Sequence, residues 1–401
     1  VTGALALIAT TAMFVPTVAA QASAGQIGWH AAPAFECDGA WTGERAPNPL
    51  HDYGDTDQLV SVSAVSSTDA WAIGQTDDFD KPPYGYRTLA MHWDGTGWHH
   101  ARMPNSKKTT WDELHDVLAL SSDDVWAVGA EDTGPYGSLI EHWDGRSWTI
   151  QEDGTPNTYL NAISGLAPND LWAAGSTNYV GNGLILHWDG VSWSRTELPG
   201  TINFRDIVEL APDDVWAVGQ KPTRRYLDLT IAMHFDGTRW TAYPTPNPLK
   251  LHNEDENWLT SIAAVSSSDI WATGVARDPD WGIRDDPFTL HWDGTKWTEV
   301  ATPDPGGSMR DTDLYSSTAV ASNDVWAVGH FGNEPDYRTF TLHWDGSAWT
   351  KLSQARRGQM GLFIGADAVA SDGAGGLWAV GSKIVPGYSG YATRIWHLCP
   401  A

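Results

Sequence analysis

The sequence predicts an all-β fold, a seven-bladed β-propeller with four-stranded antiparallel blades. Three observations carry that prediction. A string of Trp-Ala-x-Gly, a variable stretch and His-Trp-Asp-Gly-x-x-Trp returns six times nearly intact, from 68–98 to 323–349. A seventh copy is divided between the two ends of the chain. In every intact copy Asp-Gly separates two aromatic runs, a strong hairpin signal because Gly accepts positive φ and Asp tolerates it. A period of about 40–50 residues with four strands per period is the signature of propeller blades.

Each copy reads as four strands. Strand A is a short apolar run such as Leu259 to Val265. Strand B carries Trp-Ala-x-Gly, with Trp71, Trp126, Trp172, Trp216, Trp271, Trp326 and Trp378 in equivalent places. Strand C ends at His-Trp, and its histidines are His92, His142, His187, His234, His291, His343 and His397. Strand D opens on the last Trp and runs into Pro-rich turns such as Pro244-Thr245-Pro246. The seventh copy begins at Gly376 and runs to Ile395-Trp396-His397, and its missing hairpin is found as Asp38-Gly39-Ala40-Trp41. Residues 37–48 and 363–401 are therefore expected to share the last blade, within a single propeller domain spanning 25–401. A linear β-solenoid has no reason to exchange its ends. Cys37 precedes the Asp-Gly, and Cys399 lies where the other copies carry Asp, so the alignment brings the two cysteines together as a disulfide. Closing so long a loop is worth about 4–5 kcal/mol in the chain-entropy model.

Ala4 to Val18 is apolar and uncharged and is followed by Ala19, Ala20, Ala22 and Ala24. This reads as a secretory signal over 1–24, which makes the protein secreted and extracellular. With 50 acidic against 24 basic side chains the formal charge is −26. Such a surface repels phosphate backbones and anionic lipid, which argues against nucleic acid and bare membranes as partners. A monomer is expected.

The repeated aromatics read as structure, large rings filling the wedge between twisted blades. The repeated histidines sit one per blade and cannot converge on one ion, since a metal needs three or four ligands at about 2 Å. Each is expected to bond a carboxylate or carbonyl in its own blade. The Asp-Gly-x-x-Trp hairpin is similar to the Asp box of sialidases, but Arg205 is the only arginine supplied by strand A, and that chemistry needs an arginine cluster.

Function should therefore reside in residues that differ between copies. One such place is the start of strand A, which lines the channel. Alignment gives Val60, His115, Asn161, Arg205, Thr260, Tyr315 and Ile364 at one position, then Ser61, Asp116, Ala162, Asp206, Ser261, Ser316 and Gly365. His115, Asp116, Arg205 and Asp206 form a polar arc there, readable as an acid–base site or as a solvated channel with a salt bridge. The other place is the face of B–C and D–A loops. Its aromatics Trp111, Trp258, Trp281, Tyr84, Tyr136, Tyr226 and Tyr337 stand among carboxylates, as on protein-binding surfaces. The pairs Asp55/Asp57, Asp278/Asp280 and Asp311/Asp313 are weak Ca²⁺ candidates without a full calcium loop. No cofactor, catalytic residue or transition-metal site is expected.

The signal, the VWAVG and HWDGxxW copies and the terminal cysteine pair resemble the dispase autolysis-inducing protein family of secreted bacterial propellers. The resemblance implies a non-enzymatic protein that acts on extracellular neutral metalloproteases and promotes their autolysis. It also implies a glutamine donor for an extracellular transglutaminase, for which Gln26, Gln354 and Gln359 fit best as cross-link sites. The alternatives are a lectin using the loop aromatics and a channel-centred hydrolase or lyase.

Overall fold

A computed structural model describes residues 41–48, 56–77, 85–106, 111–132, 136–151, 157–178, 181–223, 228–249, 256–278, 284–307, 310–332, 337–352, 363–384 and 391–398. All belong to one unit, Glu36–Ala401. The expected signal segment, both cysteines, Gln26, Gln354, Gln359, Trp281, Tyr84 and Tyr226 lie outside these residues.

The repeat folds as its alternation demands. In the first copy β2 (Thr56–Ser66), β3 (Asp69–Asp77), β4 (Tyr86–Trp93) and β5 (Trp98–Ala101) pair antiparallel in chain order. The same order recurs from β6 (Asp112–Ser121) to β9 (Trp148–Ile150), from β10 (Thr158–Ala167) to β13 (Trp193–Thr201), and from β22 (Asp311–Ala321) to β25 (Trp349–Lys351). An eight-stranded sheet contains β14 (Asn203–Ala211) to β17 (Trp240–Tyr243) and β18 (Glu256–Ser266) to β21 (Trp297–Val300). One parallel pair, Asp228 with Glu256, joins β16 (Asp228–Phe235) to β18. The last sheet takes β26 (Phe363–Ser371), β27 (Leu377–Ile384) and β28 (Tyr391–Leu398), with β1 (Trp41–Glu44) as its fourth strand. The chain is thus an all-β propeller with four-stranded antiparallel blades, and the described strands form six sheets.

The repeated side chains hold these sheets together. Trp71 stacks on His92 across the β3–β4 pair, with centroids 4.3 Å apart. His92 Nε2 lies 2.9 Å from Asp69 Oδ1, and the six other histidines make the same bond at 2.7–3.2 Å. As expected from the sequence, each histidine is used within its own sheet. The other face of Trp71 meets Trp143 and Trp148 of the next sheet at 5.1 and 5.4 Å. Edge-to-face rings of this kind add about 0.5–1.5 kcal/mol per pair beyond the area they bury.

Between the last sheet and the first the same contact recurs. Trp378 lies 5.2 Å from Trp93 and 5.2 Å from Trp98. The innermost strands touch in a closed cycle, β2 to β6, β10, β14, β18, β22, β26 and back to β2. Trp41 pairs with Leu398. Beyond β1, Asn48 Oδ1 accepts from the Thr393 amide at 2.9 Å and the Pro47 carbonyl from the Thr393 hydroxyl at 3.1 Å. Pro104-Asn105 does the same for Thr88, and Pro246-Asn247 for Thr230. The N-terminal segment therefore performs the task that a D-strand exit performs elsewhere.

The glycine of Trp-Ala-x-Gly has a steric purpose. A Cβ on Gly74 would lie 2.0 Å from the Gln58 carbonyl oxygen, and one on Gly129 1.9 Å from that of Glu113. Only glycine lets strand A bulge over strand B at this point.

Candidate functional site

The bulge falls between Leu59 and Ser61 in the first copy, and at the matching place in the next five. It presents two successive side chains of each innermost strand to a cavity of about 100 Å³. In the first six copies these are the aligned pairs read from the sequence, from Val60 and Ser61 to Tyr315 and Ser316. His115, Asp116, Arg205 and Asp206 all line the cavity. The last copy corrects the reading: the strand register puts Asp367 and Ala368 in the aligned positions, where the alignment expects Ile364 and Gly365. The reason is a longer turn. Elsewhere Ser66 faces Asp69 across two residues, whereas Ser371 faces Leu377, and Asp372 to Gly376 form a wider loop with Gly373 and Gly375 at positive φ.

Asp116 and Asp206 link neighbouring copies. Four of the bulges direct a backbone N–H at the preceding innermost strand. Asp116 Oδ2 accepts from the Ile163 amide at 2.8 Å, and its Oδ1 accepts from the Ser61 hydroxyl at 2.7 Å and the Val117 amide at 2.9 Å. Asp206 Oδ2 accepts from the Ile262 amide at 2.8 Å, and its Oδ1 from the Ile207 amide at 2.8 Å. Ser261 and Ser316 serve the Ser317 and Val369 amides in the same way. Burial pushes Asp116 up to about 6 against the pull of these donors. Burial, then repulsion from Asp116, pushes Asp206 up to about 7. Asp367 is also raised by burial to about 7, with His330 pulling the other way.

The other two members of the arc make these contacts among the described residues. His115 Nδ1 donates to the Leu160 carbonyl at 2.6 Å. That bond fixes the tautomer, so Nε2 is the basic nitrogen, and it accepts from the Tyr159 hydroxyl at 3.1 Å. Glu113 Oε2 lies 3.7 Å from the same nitrogen. Arg205 directs Nε and Nη2 at Gln220 Oε1, at 3.2 and 3.0 Å, and Gln220 donates to Asp228 Oδ2 at 2.7 Å. A second tyrosine–histidine pair stands on β22 and β23 (Asp324–Gly332). Tyr315 donates to Asp313 Oδ2 at 3.3 Å and lies 3.1 Å from His330 Nε2, which is itself 3.2 Å from Asp313 Oδ2. Burial, and then the charge of Asp313, hold the Tyr315 phenol well above its ordinary range.

Glu113, Tyr159, His330 and Asp367 were not singled out from the sequence, and Asp313 was singled out only as a Ca²⁺ candidate. Reading the alignment two residues earlier on strand A would have found Glu113, Tyr159 and Asp313, and its partner column on strand B His330. Among the weak Ca²⁺ candidates, Asp311 accepts from the Asp285 amide at 3.4 Å and Asp313 serves Tyr315. Among the described residues no three His, Cys, Asp or Glu side chains are grouped to hold a metal ion.

The loop-face aromatics are less uniform than the sequence implies. Trp111 is 39% exposed, with Tyr86 edge-on at 4.7 Å. Trp258 is half-buried beneath Arg277, whose guanidinium carbon lies 5.0 Å above the ring and whose Nε and Nη2 grip Asp285 at 2.6 and 2.7 Å. Tyr337 packs on His330 at 4.7 Å. Tyr136 opens β8 (Tyr136–Trp143).

No family model and no curated protein matches this chain. Solved structures do. YCF48 bound to D1 peptide is 14% identical over 91% of this chain and 97% of that one, with a TM-score of 0.50. A PL25 ulvan lyase bound to -[GlcA(1-4)Rha3S]- is 10% identical over 89% and 95%, at 0.55. A Penicillium chrysogenum α-L-arabinanase complexed with arabinobiose is 8% identical over 89% and 98%, at 0.50. The likeness is one of fold, and it spans binding proteins and enzymes alike, so the choice between them rests on the site.

Proposed function

We propose that the protein is a secreted, monomeric seven-bladed propeller, closed by its N-terminal strand and a Cys37–Cys399 disulfide, that works by binding an extracellular neutral metalloprotease. The closed cycle of innermost strands and the Trp378 seam support the count of seven, with β14–β17 and β18–β21 as separate blades. The disulfide predicts that alkylation without reduction adds no label, and that Cys37→Ser lowers the melting temperature. The observation that carries the binding reading is the division of labour among aromatics. The repeated rings are committed between the sheets, while Trp111 stands exposed at a D–A junction of a strongly acidic protein. Immobilised protein is expected to retain a neutral metalloprotease from culture filtrate, and Trp111→Ala to weaken retention at least about tenfold, a hot-spot-sized loss. Undiminished retention would remove the loop face from the proposal.

A second reading, chemistry in the channel, is favoured by one specific observation. His115 and Tyr315, one member from each of two hydrogen-bonded tyrosine–histidine pairs, line a single polar cavity together with Arg205.

A further inference from the structure

Resting on that second reading, we propose that the cavity is an acid–base site for β-elimination on a uronate-containing polysaccharide, with His115 as base, Tyr315 as acid and Arg205 as carboxylate anchor. The three side chains come from the second, sixth and fourth copies and line one cavity of about 100 Å³. That volume holds a few waters or one small polar group, so it takes the carboxyl-bearing edge of one sugar while the polymer lies across the mouth.

Residue chemistry separates elimination from hydrolysis. A glycosidase needs two carboxyl groups flanking the bond, one as acid and one as base or nucleophile. Asp116 and Asp206 have both oxygens engaged by backbone amides, which fixes them as links between blades. Asp367 is then the remaining carboxylate among the described lining residues, and the pair is incomplete. Elimination asks instead for a base, an acid and a cation. His115 has its tautomer set by the Leu160 carbonyl, so substrate takes the place of the Tyr159 hydroxyl at Nε2, with Glu113 placed to stabilise the imidazolium. Tyr315 keeps its proton beside Asp313 and is held in place by His330 Nε2. Arg205 is the cation among the described lining residues, and Gln220 orients it. A guanidinium on the substrate carboxylate acidifies the adjacent C–H.

The step balances without an oxidant or co-reactant. The proton on the carbon next to the carboxylate passes to His115 Nε2. The electron pair of that C–H bond becomes the C=C bond, and the β C–O bond breaks with its pair on oxygen. That oxygen takes the Tyr315 proton, and solvent then takes the proton from His115 Nε2 and returns one to the Tyr315 phenolate.

The test incubates the full-length secreted protein with polygalacturonate, alginate and glucuronan, and follows the ultraviolet absorbance of the unsaturated uronate. At least one polymer is expected to give a steady rise. His115→Ala, Tyr315→Phe and Arg205→Ala should each slow it by about 100-fold or more with unchanged melting temperature. No rise with any polymer overturns the proposal, as does a rise that Tyr315→Phe leaves intact. Release of reducing ends without unsaturation overturns elimination and leaves channel chemistry standing, whereas no cleavage of either kind removes both. Protease retention through Trp111 is independent of all these outcomes.

Discussion

Trp378→Ala is expected to destabilise the protein by about 3–5 kcal/mol, among the largest effects available to one substitution. The ring is fully buried and packs on Trp93 and Trp98 of the first sheet, as Trp71 packs on Trp143 and Trp148. Removing it leaves a cavity at the junction of the last sheet with the first, where neighbouring rings relax only partly. Trp172→Ala is the internal reference, because Trp172 makes the same contacts with Phe235 and Trp240. Thermal melting at one scan rate, compared across both variants, decides the point. Similar losses mean that the seam is energetically like any other junction. A much smaller loss for Trp378 would mean that the first and last sheets are not packed in solution, and the closed ring would fall with it.

Glu141→Leu is expected to do the opposite and stabilise the protein by about 1–3 kcal/mol, the usual cost of an unsatisfied buried polar group. Glu141 is fully buried, and its carboxyl oxygens make no close hydrogen bond among the described residues, only a weak one with the Thr88 side chain. The equivalent places carry Met91, Leu186, Met233, Leu290 and Leu342. Burial, and then the like charge of Asp112, push Glu141 well above the carboxylate range. The sign follows from linkage. A carboxyl held higher in the fold than in the unfolded chain, where it titrates near 4.5, contributes fully below that value and loses its contribution as pH rises through its folded pKa. Asp206 and Asp367, raised to about 7, act in the same direction. The hairpin carboxylates Asp236, Asp293 and Asp345, lowered to about 2 by side-chain and backbone hydrogen bonds, act oppositely and lose their contribution as pH falls below about 4. Melting temperature should therefore peak in mild acid and decline toward pH 8, with a shallower decline in Glu141→Leu. An unchanged slope would mean that Glu141 has a partner in solution.

The propeller could be read from the sequence because its determinants repeat. Trp, His and Asp recur at fixed offsets, and each recurrence reports the same packing contact. The channel pairs of the first six copies could be read for the same reason, since a constant two-residue turn ties Ser61 or Ser316 to the following strand. In the last copy the anchor itself moved. Asp372 still bonds His397, at 3.2 Å, but from a longer loop, and counting back from it misplaced the register by three residues. Tyr159 and His330 were hidden differently: their relation to His115 and Tyr315 is made by strand pairing and by contact between neighbouring copies, which no single repeat displays. The Pro-Asn step at 47–48, 104–105 and 246–247 was visible as a string, yet its function, capping a strand-C threonine, emerges only from the hydrogen bonds.

Because β1 pairs with β28, an early strand has to idle until a late one arrives. Until then the sheet edges at both ends of the growing array stand open, and open edges invite pairing with other chains. Synthesis halted before Tyr391 yields no smaller finished ring, only an array with two sticky margins. The architecture itself thus inspects whether β28 has been made, and any fragment lacking that eight-residue strand is exposed to proteases and aggregation from both sides at once.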